Sequence, residues 1–478
     1  MQLGADDYGL YAVVGGIVLM MNFLNTTMVA TSYRYIAVEI GKGENGDTNK
    51  VFNTSLVIHL FLALVFILIA ETIGVWYINN YLNVAAEKIP DALFVLHFSV
   101  LATVFSIASV PFQGLITANE KFLAIATIEI IRTVLKLGFV LLLVLYIGNK
   151  LQAYAIIMTI IMVIPAILFV IYCKVNNKDV VKWKLNRVKS DYWDMFKFSG
   201  WIMIGAIAHM GVRQGAAVII NLFFGTILNA AFGIASQIYN YVIMFVRNLN
   251  QATVPQIMKS HSSGDSERSL NLVYYISKYA FFVMLIPAVP IMLSIDSILV
   301  LWLKEVPEYT KQFAILMIIN GLIGCTASGF DAAIQSTGKI RKPQIWYSTI
   351  MLLTLPIAYL MFKLNYPPYI ITVITIGATI TNLIVQMKIL TQITEFKISH
   401  YLSKTIYPVI IVSLITLPQL FLRNLFGQDI AGVLIFSIIS VSLILLTIYF
   451  GGLTKNERNT INIQLKKLKI NHINATNN

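Results

Sequence analysis

Apolar runs of about 20 residues or more follow one another along this chain, separated by short polar breaks. That is the length a helix needs to cross roughly 30 Å of hydrocarbon. Breaks at charges, Pro and Gly predict 13 spans, at 10–31, 54–76, 92–117, 121–147, 151–172, 197–222, 226–250, 272–298, 311–335, 343–363, 368–390, 404–423 and 430–451. None shows the short alternation of apolar and polar residues that barrel strands carry. The pattern therefore predicts an all-α integral membrane protein.

Composition agrees. Hydrophobic residues make up 58% of the 478 and charged ones only 12%, with a mean hydropathy of +0.76. A soluble core of this size cannot hide that much apolar surface. The first apolar run follows Asp6 and Asp7 without a basic leader, so it is expected to stay in the membrane and not be cleaved. Cys173 and Cys325 fall near a boundary and inside a span, which argues against a disulfide framework. There is no phosphate-binding Gly-rich loop of the GxxxxGK[ST] type, no His/Cys cluster with metal spacing and no sizeable loop for a catalytic domain. Neither an enzyme nor a metal site nor a bound cofactor is expected.

Charge fixes the orientation. Of the 35 Lys and Arg residues, 25 fall in one alternating set of connections, six in the other and four inside spans. The basic side is expected to be cytoplasmic. That puts the C-terminal tail inside and, with an odd number of spans, residues 1–9 outside. The net charge of +13 is then accounted for by topology and by contact with anionic headgroups, with no nucleic acid as partner.

Span starts in the second half lie 216 to 222 residues after their counterparts in the first, over five consecutive spans. Tyr8-Gly9-Leu10 matches Phe232-Gly233-Ile234, and Ala118-Asn119-Glu120-Lys121 matches Thr337-Gly338-Lys339. Six-span units keep the same orientation, so parallel repeats and two lobes are predicted. Span 197–222 lacks a partner, which implies a 14-helix plan without its first helix. The expected division is an N-lobe at 1–172, a basic cytoplasmic linker at 173–196, a C-lobe at 197–390, two additional spans at 391–451 and a basic cytoplasmic tail at 452–478.

Several motifs fall in order along nearly the whole chain. They are Tyr8-Gly9-Leu10-Tyr11, Arg34-Tyr35 before Glu39-Ile40-Gly41-Lys42-Gly43, Phe198-Ser199-Gly200-Trp201, Asn221-Leu222-Phe223-Phe224-Gly225, Asn229-Ala230-Ala231-Phe232-Gly233-Ile234-Ala235, and Pro255-Gln256-Ile257 ahead of Gly264-Asp265. In these the chain resembles the polysaccharide transporters, the Wzx-type O-antigen flippases of the superfamily that includes multidrug and toxic compound extrusion (MATE) proteins. The resemblance implies a two-lobe transporter alternating between outward-open and inward-open forms. It also implies a bacterial inner-membrane location, and an undecaprenyl-diphosphate-linked oligosaccharide, an O-antigen or capsule repeat unit, as cargo. Membrane lipids and other polysaccharide-assembly membrane proteins would be partners. The absent first helix leaves open any cation site that drug-exporting relatives place there.

An anionic head crossing a low-dielectric slab needs cations and hydrogen-bond donors around it. Glu129, Arg132 and Lys136 share one helical face of span 121–147; Arg132 lies roughly 16 Å and Lys136 roughly 22 Å from its cytoplasmic start. Both cations are expected to face a water-filled lumen, the alternative being an internal pair in which Glu129 neutralises Arg132 and locks the helix. Arg213 with Gln214 is the next lumen candidate. His209, Arg34 and Lys278 are secondary candidates. His209 reads first as an interhelical hydrogen-bonder, while Arg34, Lys278 and Arg247 read first as side chains snorkelling to a cytoplasmic boundary. Glu71, Asp296 and Asp331 fall near span ends and receive no coupling role. The residues 182–193 read as an interfacial amphipathic segment on anionic lipid. Membrane-embedded charge leans positive, which favours an anionic cargo over the alternative, a cation-coupled multidrug (MATE-type) antiporter. Coupling to a proton or sodium gradient stays open.

Overall fold

The computed structural model describes residues 22–460, apart from Tyr81, Asn83, Val84 and Lys304, together with Asn462 and Ile463. The motif at Tyr8–Tyr11 and most of the first predicted span lie outside the described residues. The longer helices are α1 (Asn22–Gly41), α2 (Thr48–Ile69), α3 (Ile89–Ala118), α4 (Phe122–Leu145), α5 (Lys150–Asn176), α6 (Lys189–Ser262), α7 (Ser266–Leu293), α8 (Ile295–Trp302), α9 (Thr310–Cys325), α10 (Phe330–Thr337), α11 (Arg341–Lys363), α12 (Ile370–Ile393), α13 (Tyr407–Thr416) and α14 (Ile430–Thr447). Each of the predicted spans from 54–76 onward coincides with helix. Among the described residues nine helices are long and apolar enough to cross a membrane, or ten if the bent pair α9 and α10 counts as one. The charged α4, with Glu129, Arg132 and Lys136, is not among them, and α6, which is, holds two predicted spans in one run.

The break in α6 falls at Gly225, whose φ of 78° and ψ of −172° no residue with a Cβ adopts without strain. It joins the predicted spans 197–222 and 226–250. A second turn supports the repeat. Glu120 between α3 and α4 has φ 60° and Gly338 between α10 and α11 has φ 75°, so one left-handed turn recurs at matching places in the two halves. Glycine takes this conformation freely. Glu120 does not, but its carboxylate accepts bonds from Lys259 Nζ at 2.7 Å and Gln256 Nε2 at 3.1 Å, which offset the strain.

The chain divides into two compact units, residues 1–207 with 255–265, and residues 208–254 with 266–478. This division runs through α6 between Ile207 and Ala208, inside the stretch that spacing assigns to the C-lobe. It also joins the two additional spans to the second unit. In the first unit α3 is central and packs on α1, α2 and α5. Gly114 allows that approach, because a Cβ there would stand 3.1 Å from the Ser32 side chain. Leu60, Phe61, Leu64 and Leu68 of α2 are exposed, an apolar stripe that only lipid tolerates. The linker is pinned to α2: Asn49 Nδ2 donates to the carbonyls of Asp179, Val180 and Lys182, and buried Asn53 donates to Lys182 O and accepts from Lys184 N. Trp183, Leu185 and Trp193 are left exposed.

In the second unit α7 is central. Fifteen of its 28 residues are buried, too many for one face, so helices surround it. Its neighbours include α9, α13 and α14. The predicted span 311–335 is broken: α9 and α10 meet at 45° across residues 326–329. Gly329 permits the break, since a Cβ there would lie 2.9 Å from Val273 Cα. Tyr401 Oη donates to the freed Thr326 carbonyl at 2.9 Å.

Candidate functional site

A cavity of about 630 Å³ lies inside the second unit, walled by α6, α9, α10, α11, α12 and the break between α9 and α10. Two of these helices, α6 and α12, contribute a polar stripe at helical spacing. On α6 the stripe runs Ser236, Tyr239 and Asn240, Arg247 and Asn250, with His209 and Arg213 on the arm before Gly225. On α12 it runs Thr372, Thr375, Thr379, Asn382 and Gln386. Residues three, four and seven apart share a face, so these groups reach one space although the helices are otherwise apolar. The broken span belongs here too, because irregular backbone at membrane depth is tolerated where it lines a cavity.

Arg213 and Arg247 are both within electrostatic range of His209. Arg247 Nη2 donates to Asn240 Oδ1 at 3.3 Å. At the other wall Gln386 Nε2 donates to Asp331 Oδ1 at 3.3 Å, with Tyr347 in electrostatic range of both Asp331 and Tyr239. Two permanent guanidinium charges thus face one carboxylate. The lining leans positive, and Arg213 and Asp331 are both exposed to the space.

Of the residues predicted from sequence, the cavity unites Arg213 and His209; Gln214, though exposed, is not part of its lining. Glu129, Arg132 and Lys136 stand together on α4 in the first unit. Glu129 Oε2 and Arg132 Nη2 are 2.7 Å apart, while Arg132 and Lys136 remain exposed. Arg34 is buried, its guanidinium 4.5 Å from the ring centroids of Tyr35 and Phe198. Lys278 lies away from the cavity: its side chain is 1% exposed and its Nζ bonds Glu457 Oε1 at 2.6 Å. Tyr279 Oη donates to the same oxygen at 2.7 Å. Burial alone would raise the Glu457 pKa, but the bonds from Lys278, the Thr454 N–H and Tyr279 outweigh it and hold the carboxyl below its ordinary value. Of the acids near span ends, Glu71 pairs with His97 at 2.8 Å and Asp296 with Lys311 at 2.6 Å.

Arg247 and Asp331 are the residues that sequence reasoning left outside the site. Depth along the helix assigned both to span ends. The usable signal was lateral: Arg247 continues the Tyr239, Ile243, Val246 and Asn250 face, and Asp331 continues the Asn320, Gly324 and Ser328 face once the break is allowed for.

The chain matches a family model described as "Polysaccharide biosynthesis protein" over residues 3–303. No curated protein matches it. Among solved structures it is similar to an outward-facing multidrug resistance MATE family transporter of the MOP superfamily, with 16% identity, 82% of this chain and 89% of that one covered, and TM-score 0.66. A MATE structure in the straight conformation gives 18% identity, the same coverages and TM-score 0.65. A MOP superfamily transporter from Pyrococcus furiosus, described as having a binding pocket of reverse polarity that suggests a different function, gives 17% identity, again 82% and 89%, and TM-score 0.63. These likenesses bear out the all-α fold read from the spans and the MATE-like architecture and family that the motifs imply. The chain belongs to the polysaccharide biosynthesis protein family and is a multi-pass membrane protein built on the MATE fold.

Proposed function

We propose that this protein is a flippase that carries an undecaprenyl-diphosphate-linked oligosaccharide from the cytoplasmic to the outer leaflet of a bacterial inner membrane by alternating access. The observation that carries the reading is the cavity in the second unit, where Arg213 and Arg247 face a single carboxylate, Asp331. Holding such charges at membrane depth is costly unless a partner compensates them, and a diphosphate does so with several acceptor oxygens. Lys136, exposed on α4 beside the Glu129–Arg132 pair, adds to the first unit one cation that is uncompensated among the described residues. Membership of a polysaccharide biosynthesis family supports a glycolipid cargo. The reversed pocket polarity described for the Pyrococcus furiosus transporter fits the idea that cavity charge sorts cargo on this fold. The basic connections argue for a cytoplasmic C-terminus, with membrane lipids and other polysaccharide-assembly proteins as partners and no nucleic acid. A proton or sodium gradient is the source of drive we favour, and no bound cofactor enters the scheme.

The test is deletion of the protein followed by analysis of lipid-linked intermediates. Accumulation of a diphosphate-linked oligosaccharide on the inner leaflet supports the proposal, as does loss of surface polysaccharide in an Arg213→Ala/Arg247→Ala variant that still inserts. Unchanged lipid intermediates with increased dye sensitivity would instead support a cation-coupled multidrug antiporter.

A further inference from the structure

The charged groups of the cavity do not account for the buried, unpaired polar atoms in its wall. On α12, Thr375 and Thr379 turn their hydroxyl protons back to the carbonyls of Ile371 and Thr375, as helical threonines commonly do. Thr372 and Asn382 on the same stripe do not. Asn382 is 5% exposed, and neither its Oδ1 nor its Nδ2 has a partner among the described residues; Thr372 is 4% exposed and its Oγ1 is likewise unbonded. Two further carbonyl oxygens, Oδ1 of Asn250 on α6 and Oδ1 of Asn320 on α9, are buried without a partner. All four residues line the cavity. Folded proteins seldom leave one such group unpaired, and here three helices bring theirs to the wall of one space.

The chemistry of the set discriminates between ligands. Three of the unpaired atoms are amide carbonyl oxygens, which can only accept. A diphosphate carries no donor at neutral pH, so it suits Arg213 and Arg247 but would set oxygen against oxygen here. A sugar hydroxyl both donates and accepts, which is what a carboxamide and a threonine hydroxyl require in return. The rings of Phe232, Tyr239 and Tyr347 in the same wall supply flat apolar faces beside these polar groups, the mixture typical of small-molecule sites. We infer that Asn382, Thr372, Asn250 and Asn320 form a saccharide-reading subsite, distinct from the guanidinium pair, that hydrogen-bonds hydroxyl groups of the cargo's glycan. The inference rests on the flippase reading, and it assigns specificity for sugar to these four residues and attraction for phosphate to the two arginines.

Two lipids separate the roles: sugar-free undecaprenyl diphosphate, and the diphosphate-linked glycolipid extracted from cells lacking the protein. Binding of each to the purified full-length protein in lipid nanodiscs is measured for wild type, Asn382→Leu, Thr372→Val and Arg247→Ala. The expected result is that Asn382→Leu and Thr372→Val weaken glycolipid binding roughly tenfold, the factor that loss of one or two neutral hydrogen bonds brings. Both should leave undecaprenyl diphosphate binding unchanged, which also shows that they fold. Arg247→Ala should weaken both lipids. If neither substitution separates the two lipids, or if both lose them equally while Arg247→Ala retains them, the subsite is overturned and the flippase reading stands. If wild-type protein binds neither lipid, the flippase reading itself fails.

Discussion

Replacing Glu457 by Ala strands a buried cation. The Lys278 side chain is 1% exposed, and the Glu457 carboxylate, 11% exposed, is 2.6 Å from its Nζ. Tyr279 Oη, 2.7 Å from the same oxygen, loses its acceptor as well. Removing one partner of a buried pair costs about 3–5 kcal/mol, because the remaining charge keeps its dehydration without its attraction. With an unfolding entropy that scales with the 478 residues, this lowers the melting temperature by roughly 3–5 °C. The assay is thermal unfolding of the detergent-solubilised protein. A Lys278→Met/Glu457→Gln double variant removes both charges at similar volume, leaves Tyr279 an acceptor, and should return to within about 1 kcal/mol of wild type. The pH dependence has a definite sign. The folded Glu457 pKa is depressed, so its stabilisation is present above the unfolded carboxyl pKa and is lost as pH falls through the folded value. Wild type should therefore lose stability in acid more steeply than the double variant. Glu457→Ala melting like wild type, or a double variant no better than the single one, would refute the reasoning.

Gly225→Ala should destabilise by about 1–3 kcal/mol through backbone strain alone, because nothing lies within 4 Å of the added Cβ. Gly377→Ala, equally unobstructed within helical α12, should instead be neutral or stabilising; melting curves of the pair compare the two. At Glu120, Ala loses the bonds to Lys259 and Gln256 and keeps the left-handed strain, whereas Gly loses the bonds and relieves it. The expected order of stability is wild type, then Glu120→Gly, then Glu120→Ala, with the two variants separated by about 1 kcal/mol, as thermal unfolding can measure. Asn53→Ala removes the side chain that bonds Lys182 O and Lys184 N, so limited trypsin digestion should cut the linker after Lys182 and Lys184 faster than in wild type.

Hydropathy found the helices because each crossing must bury its own backbone polarity and show apolar side chains to lipid. The break between spans 197–222 and 226–250 was legible for a local reason: Gly225 holds a backbone geometry that other residues adopt only with strain. The repeat was legible in spacing, and the left-handed turns at Glu120 and Gly338 give it a structural counterpart. The candidate site was legible only in part. Arg213 and His209 were named from depth along a helix, but depth says nothing about direction around it. Arg247 and Asp331, each near a span end, were therefore assigned to the boundary and missed.

What the sequence determined by itself is what local physics decides: span length, the basic side, the glycine break and the six-span period. Tertiary structure alone decided which charges meet. Lys278 and Glu457 lie 179 positions apart, and the cavity-lining faces of α6, α9 and α12 converge only after the helices pack. Pairing across a bundle depends on the rotation and register of each helix, which follow from side-chain interdigitation along its whole length and from no short run of residues.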